Sequence, residues 1–211
     1  MGWRSSSFAD LNYNKIKVKG TLNFYNKFSF LYPIVDFFLR PQKKMLAYQV
    51  NKLPIGDLLE IGVGNGSQLS FYKNHHLTGI DISTAMLTVA KKRSLGEIEL
   101  FQMDAEQLSF KAESFDYVVV SHLLAVLSNP DRAIVEAHRV LKPGGKLFIL
   151  NHFTPTSWLG WIDRGFAPAA RLFHFQSVFR VEDLPMRNFT LERAIDLGRM
   201  RYFKLLTYRK N

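Results

Sequence analysis

Leu58-Leu59-Glu60-Ile61-Gly62-Val63-Gly64-Asn65-Gly66-Ser67, followed by Leu77-Thr78-Gly79-Ile80-Asp81, is the stretch on which the fold of this chain turns. An apolar strand runs into three glycines at alternate positions, and a second short strand ends in a carboxylate about fifteen residues beyond the last glycine. Glycine has no Cβ, so a loop built on Gly62, Gly64 and Gly66 turns sharply and lets a ligand lie against main chain. In an open parallel sheet, ligands bind beyond the carboxyl ends of the strands, where an acid closing the second strand accepts hydrogen bonds from ribose hydroxyls. Asp81 has that place, and the two segments together describe a nucleoside-binding crevice.

Spacing separates this loop from the dinucleotide fingerprint. That fingerprint is G-x-G-x-x-G, whereas here the pattern is G-x-G-x-G behind an acid, with Ser67 where the third dinucleotide glycine would fall. Pyrophosphate favours amides at a helix N-terminus with no adjacent anion. Glu60 instead puts negative charge at the strand end, which suits a cation, and S-adenosyl-L-methionine carries a sulfonium and an ammonium. On these residues the chain resembles the class I S-adenosylmethionine-dependent methyltransferases. Residues 60–66 are similar to their first motif and Asp81 to their ribose-binding acid, which implies that Ile82 and Met86 also meet the cofactor. Met103-Asp104-Ala105-Glu106 resembles the segment after their third strand, placing Asp104 at the adenine amino group with Ala105 beside it. Leu141-Lys142-Pro143-Gly144-Gly145 resembles the turn before their fifth strand. The resemblance also implies that Ser121 and His122 line the cofactor site and that S-adenosyl-L-homocysteine is the product.

The 211 residues, 47% of them hydrophobic, fit one structural domain with a core that needs no staples. A basic arm and aromatic helical cap is expected over 1–51 and the cofactor-binding core over 52–211. Absence of cysteine excludes structural disulfides, thiolate metal sites and a cysteine nucleophile. No metal is expected, and cytosine C5 methylation is disfavoured. No stretch approaches the roughly eighteen apolar residues of a spanning helix, and residues 1–10 lack the apolar core of a secretory signal. Cytoplasmic residence is the expectation. The net charge of +10 is concentrated at the termini. Residues 1–44 carry eight Lys/Arg against Asp10 and Asp36, and residues 187–211 carry seven against Glu192 and Asp196, leaving the middle nearly neutral. Such a distribution suits an anionic bilayer or polymer as partner, although lysines that simply keep a protein soluble produce it too.

Strands and helices alternate through the middle of the chain, which predicts a doubly wound α/β fold with a mostly parallel sheet. Strands are expected at 57–61, 77–80, 98–102, 115–120 and 146–150. Helices are expected at 67–73, from an N-cap at Ser83 to about Arg93, and from Pro130 to about Val140. Residues 1–20 read as a poorly ordered arm or edge extension. Pro33 and Pro41 are expected to break the aromatic stretch 21–51 into short helices. Residues 190–197 and 200–208 around Gly198 read as two strands of a terminal hairpin, with Leu191, Ala194 and Ile195 on the first and Phe203, Leu205 and Leu206 on the second. This hairpin completes a Rossmann-like sheet of the class I methyltransferase type, with seven strands, a C-terminal antiparallel pair and an N-terminal helical cap.

The substrate must come from residues outside the cofactor motifs. Over nearly its whole length the chain resembles bacterial phosphatidylethanolamine N-methyltransferases, relatives of the quinone-ring methyltransferases. The matching pieces include Phe24-Tyr25, Leu31-Tyr32-Pro33, Asn151-His152-Phe153 and Arg164-Gly165-Phe166-Ala167-Pro168. This family often has Asp after the second tyrosine, where this chain has Pro33 and Asp36 is the nearest acid. The resemblance implies methyl transfer to phosphatidylethanolamine or a related amino-lipid at the inner face of the membrane. His152 is the first candidate to take the amine's proton, with Tyr25 and Tyr32 orienting the amine, and Arg164, Arg171 and Arg180 are candidates for a lipid phosphate. A histidine packed beside strand five and bonded to main chain is an equally good account of His152. Aromatics from Phe24 to Leu39, flanked by Lys15, Lys17, Lys19, Lys27, Arg40, Lys43 and Lys44, suit an interfacial segment, or alternatively pack over the pocket. Two further functions stay open. One is a methyltransferase acting on a quinone precursor or other small molecule. The other is a cationic RNA-binding protein on the same scaffold. Nucleic acid is disfavoured because amino methylases of DNA carry Asn/Asp-Pro-Pro-aromatic after the fourth strand, where this chain has Ser121-His122-Leu123-Leu124. The oligomeric state is open.

Overall fold

The computed structural model describes residues 32–94, 97–152, 184–198 and 203–211. Tyr25, the arm 1–20, and the segment carrying Arg164, Arg171 and Arg180 lie outside them.

Helix α1 (Tyr32–Val50) leads into β1 (Asp57–Ile61) and β2 (His76–Asp81). Helix α2 (Thr84–Arg93), β3 (Glu99–Gln102), β4 (Phe115–Ser121), α3 (Pro130–Val140) and β5 (Leu141–His152) follow. The hairpin β6 (Phe189–Leu197) and β7 (Phe203–Lys210) closes the chain. The seven strands form one sheet in the order β3-β2-β1-β4-β5-β7-β6. All pairings from β3 to β5 are parallel, and β7 is antiparallel to both β5 and β6. Strand order reverses between β1 and β4, so a crevice opens beyond their carboxyl ends. The architecture is Rossmann-like.

Burial on both faces explains why the central strands are nearly all apolar. On one face Leu59, Ile61, Val118, Val120 and Ile149 pack with Ala133, Ile134 and Ala137 of α3. On the other, Leu58, Val119, Phe148 and Leu205 pack with Leu46 and Val50 of α1 and Ala90 of α2. Helix starts follow capping chemistry. Ser83 Oγ accepts the Met86 N–H at 3.3 Å, and Asn129 Oδ1 accepts the Arg132 N–H at 3.1 Å ahead of Pro130.

Three expectations are corrected. Helix α1 runs through Pro41 without breaking. The Lys43 ammonium reaches back across the proline to Asp36 at 2.6 Å, and Leu46 and Val50 anchor the second half in the core. The helix expected at 67–73 is a single 3-10 turn, Leu69–Phe71. There the Asn51 side chain donates to the Phe71 carbonyl and accepts the Lys73 N–H, both at 2.9 Å, which withdraws the backbone from further helix. The turn before the fifth strand lies inside β5 as a bulge, between the pairs Phe115–Leu141 and Tyr117–Lys146. The hairpin forms as expected, and on its edge strand β6, which carries a bulge between Leu191 and Arg193, Leu191 and Ala194 are exposed.

Candidate functional site

The glycine loop is pinned to the neighbouring strand by its own backbone. The N–H groups of Gly62 and Val63 donate to the Ile80 carbonyl at 2.8 and 2.9 Å. Asp81, just beyond, accepts the Gly64 N–H at 2.8 Å and the Ser83 N–H at 2.9 Å, one on each carboxylate oxygen. Burial raises the Asp81 carboxyl above its ordinary value although these N–H donors pull the other way. Gly64 has φ +53° and a Cβ placed there would meet no atom within 4 Å, so this part of the loop is main chain facing open space. Gly66 differs: at φ +74° its missing Cβ would stand 2.8 Å from the Ala90 backbone, which lets α2 pack against the loop.

Glu60 sits beneath this loop, 2% exposed. Burial pushes its carboxyl up to about 7, against hydrogen bonds from Tyr72 and Gln68 and the attraction of Lys43. One oxygen, Oε2, has no hydrogen-bond partner. Behind Glu60 a polar relay continues, with Gln68 Nε2 donating to the Tyr72 hydroxyl and Ser121 Oγ donating to Gln68 Oε1 at 3.1 Å. The relay therefore links the ends of β1 and β4. On the other side α1 is tied to the loop, since Lys43 donates to Ser67 Oγ at 2.9 Å and Ser67 Oγ donates to Asp36 at 2.5 Å.

The loop after β3 comes alongside, with the Met103 N–H donating to the Asp81 carbonyl at 3.1 Å. Asp104 is exposed there and accepts the Glu106 N–H at 2.9 Å, while Ala105 is buried. Gln102 Nε2 donates to the Ile82 carbonyl at 3.1 Å. Ile82 is 36% exposed, and Met86, in the first turn of α2, is buried. His122 leaves β4 in the left-handed region at φ +54°, donates its N–H to the Leu150 carbonyl at 2.7 Å, and meets Phe203 edge-on at 5.6 Å. His152 ends β5 with its backbone paired to Phe203. Tyr32 begins α1.

The residues expected around a nucleoside thus converge: Glu60, the glycine loop, Asp81, Ile82, Met86, Asp104, Ala105 and Ser121 share one rim of the sheet. The site suits a cationic nucleoside on two counts: an unmatched oxygen of a buried acid, and a main-chain cradle with room for a ligand. Reading the sequence missed Lys43, Ser67, Gln68 and Tyr72. Gln68 and Tyr72 stand four apart and carry no motif, so no local signal marks them as partners of Glu60.

Residues 59–149 match the methyltransferase domain family. The phosphatidylethanolamine N-methyltransferase of Cereibacter sphaeroides is 37% identical over 134 residues, covering 60% of this chain and 66% of that protein. A demethylmenaquinone methyltransferase of Renibacterium salmoninarum is 33% identical over 119 residues, covering 56% of this chain and 50% of that protein. This chain therefore matches between half and just under two-thirds of the length of these relatives. Among solved structures, an S-adenosylmethionine-dependent methyltransferase of Thermotoga maritima superposes with a TM-score of 0.70 at 22% identity, covering 90% of this chain and 99% of that one. The [4+2]-cyclase SpnF superposes at 0.65 with 20% identity, covering 81% of this chain and 80% of that one. These likenesses show the fold alone, and the cyclase illustrates that the fold does not settle the reaction.

Proposed function

We propose, from the premise that this chain carries a class I S-adenosylmethionine-dependent methyltransferase domain, that it methylates the amine of phosphatidylethanolamine or a related amino-lipid at a membrane surface. The observation that carries the choice of acceptor is the 37% identity to a phosphatidylethanolamine N-methyltransferase. When bound, S-adenosyl-L-methionine supplies an electrophilic methyl group on a sulfonium. The protein's task is then positional: it holds an unprotonated nucleophile in line with that methyl group and removes a proton.

Glu60 and its unmatched oxygen would take the ammonium of the cofactor, Asp81 the ribose, and Asp104 with Ala105 the adenine. His152, at the end of β5, would accept the proton that the amine nitrogen loses as it gains the methyl group. Tyr25 and Tyr32 would orient that amine, and Arg164, Arg171 and Arg180 would hold the lipid phosphate. In this reading residues 1–51 form the cap over the core of 52–211.

Helix α1 supports a membrane surface as the working place. Phe38, Met45 and Tyr48 are 68%, 37% and 55% exposed and recur at helical spacing, beside the exposed cations Arg40, Lys44 and Lys52. Interfacial helices combine an apolar stripe with flanking cations in this way, and each cation near an anionic surface contributes about 1 kcal/mol. No helix among the described residues is long and apolar enough to cross a membrane.

A second reading, methylation of a quinone precursor, has its own support in the demethylmenaquinone methyltransferase match. Vesicles containing phosphatidylethanolamine, incubated with the protein and methyl-labelled cofactor, separate the two. Label in the extracted phospholipid is expected. Label only in an added quinone or phenol precursor would overturn the lipid assignment.

A further inference from the structure

Asn151 is the penultimate residue of β5, 1% exposed, and neither its Oδ1 nor its Nδ2 has a hydrogen-bond partner. Among the described residues no other buried side chain leaves two polar atoms unmatched. An amide offers two donors and two acceptor lone pairs, and burying them unpaired costs free energy that an apolar residue of similar size would not incur. Exchanging the amide oxygen and nitrogen does not satisfy both atoms.

Topology shows why the fold itself provides none. The β4–β5 ladder ends at the pair Ser121–Leu150, and His122 then turns away in the left-handed region. On the other side Asn151 pairs through its backbone with Lys204, whose ammonium is already held by Asp196 at 2.6 Å. Of the other buried polar groups at this end, Gln68 is engaged with Tyr72 and Ser121 and Ser83 with Met86, while Glu60 keeps one oxygen unmatched.

Its position says what could use it. In the sheet order β5 stands two strands from β1 and three from β2. Through the ladder, Glu60 aligns with Val119 and Val119 with Phe148, so Asn151 lies three residues further out, and the odd offset turns its side chain to the face of Leu147 and Ile149, across the sheet from Glu60. With strands about 4.8 Å apart and about 3.3 Å per residue, its Cα is on the order of 14 Å from that of Glu60. A second reactant that approaches a ligand seated on Glu60 and Asp81 from the β5 side, over the opposite face, passes the end of the strand that carries Asn151.

We propose that Asn151 is a specificity-determining residue of the methyl-acceptor site, its amide holding a polar head group that both donates and accepts hydrogen bonds. The inference rests on the methyltransferase reading above. Oδ1 accepts an N–H or O–H of the acceptor, and Nδ2 donates to an oxygen of the same head group. An amino-alcohol ester of phosphate has both, and so does a hydroxylated quinone precursor.

The test compares the wild-type protein with Asn151→Leu and Asn151→Asp, the latter keeping an accepting oxygen. Three quantities are measured: thermal unfolding, cofactor affinity by calorimetry, and kcat/KM for phosphatidylethanolamine vesicles or, if those are not methylated, for a quinone precursor. Asn151→Leu is expected to unfold at the wild-type temperature or about 2–4 °C above it. It should bind cofactor within twofold of wild type and lose about 10–100-fold in kcat/KM for the acceptor. Asn151→Asp should recover part of that loss. Unchanged acceptor kinetics, or a lower unfolding temperature with equal losses for cofactor and acceptor, would overturn the assignment. If the wild type methylates neither probe, the proposed function fails on its own account. Unfolding then decides for Asn151, with a stabilised Leu variant supporting an amide left open for a ligand and a destabilised one refuting it.

Discussion

At the amino end of the parallel sheet, Lys142 donates to Asp57 at 3.1 Å and to Asp116 at 2.9 Å, Asp116 accepts the Asp57 N–H at 2.9 Å, and His76 adds a bond to Asp57 at 3.1 Å. At the carboxyl end, Glu60 and Asp81 make no ion pair among the described residues, and one Glu60 oxygen is unmatched. Burial acts upward on both Asp57 and Glu60. For Asp57, hydrogen bonds from Lys142 and His76 outweigh it and hold the carboxyl below its ordinary value. For Glu60 the pull of Tyr72, Lys43 and Gln68 is too weak to do so. One end of the sheet satisfies its own charges, and the other leaves a buried acid with an unmatched oxygen, which the proposed function fills with a cation.

The sharpest way to break this contrast is to remove one acid from each end. Asp81→Ala should weaken S-adenosyl-L-methionine binding at least about 100-fold, since it removes the carboxylate that positions Gly64 and Ser83 and would hold the ribose. Asp116→Asn, at the other end, should leave affinity within about twofold. Calorimetric titration of both variants checks the pair, and equal losses would erase the distinction.

Glu60→Gln comes next. A folded-state value of about 7 against 4.5 when unfolded means that the carboxyl favours folding when protonated. That contribution is complete below about pH 4.5 and is lost as pH rises through 7, a span of roughly 3 kcal/mol. Without cofactor, the wild type should therefore lose stability relative to Glu60→Gln between pH 5 and 8. Denaturant unfolding at several pH values measures the difference, and parallel curves would show that Glu60 is ionised throughout.

The glycines supply a smaller contrast. Gly66→Ala drives a methyl group into the Ala90 backbone and should lower stability by about 1–3 kcal/mol. Gly64→Ala has space for its methyl group and should cost about 1 kcal/mol through its positive φ, while weakening the cofactor more than Gly66→Ala does per unit of stability lost. Smallest of all, Lys142→Met should cost less than about 1 kcal/mol, because its ion pairs are partly exposed and screened. Thermal unfolding ranks these variants.

Much of the carboxyl end was legible in the sequence because backbone and motif coincide there. The run Tyr117-Val118-Val119-Val120 reads as a doubly buried strand, Ser83 and Asn129-Pro130 as helix starts, and the glycine spacing with Asp81 as a crevice. What escaped notice depends on contacts between distant residues. Pro41 signals a break, yet the Asp36–Lys43 bridge and the core packing of Leu46 and Val50 carry α1 past it. Residues 67–73 have a helical pattern, but Asn51, sixteen or more positions away, takes their backbone bonds. The Glu60 relay joins β1, the 3-10 turn and β4, and no window of sequence contains all three. Asn151 was visible as part of Asn151-His152-Phe153, but its missing partners can be seen only once the strands are aligned.

The buried acid can be interrogated directly by titrating S-adenosyl-L-methionine calorimetrically near pH 7 in two buffers of different ionisation enthalpy, with wild type and Glu60→Gln in parallel. Binding at one site with release of roughly half a proton, absent from the Gln variant along with most of the affinity, is the expected result. Binding without proton release and with the same affinity in both proteins would contradict the account.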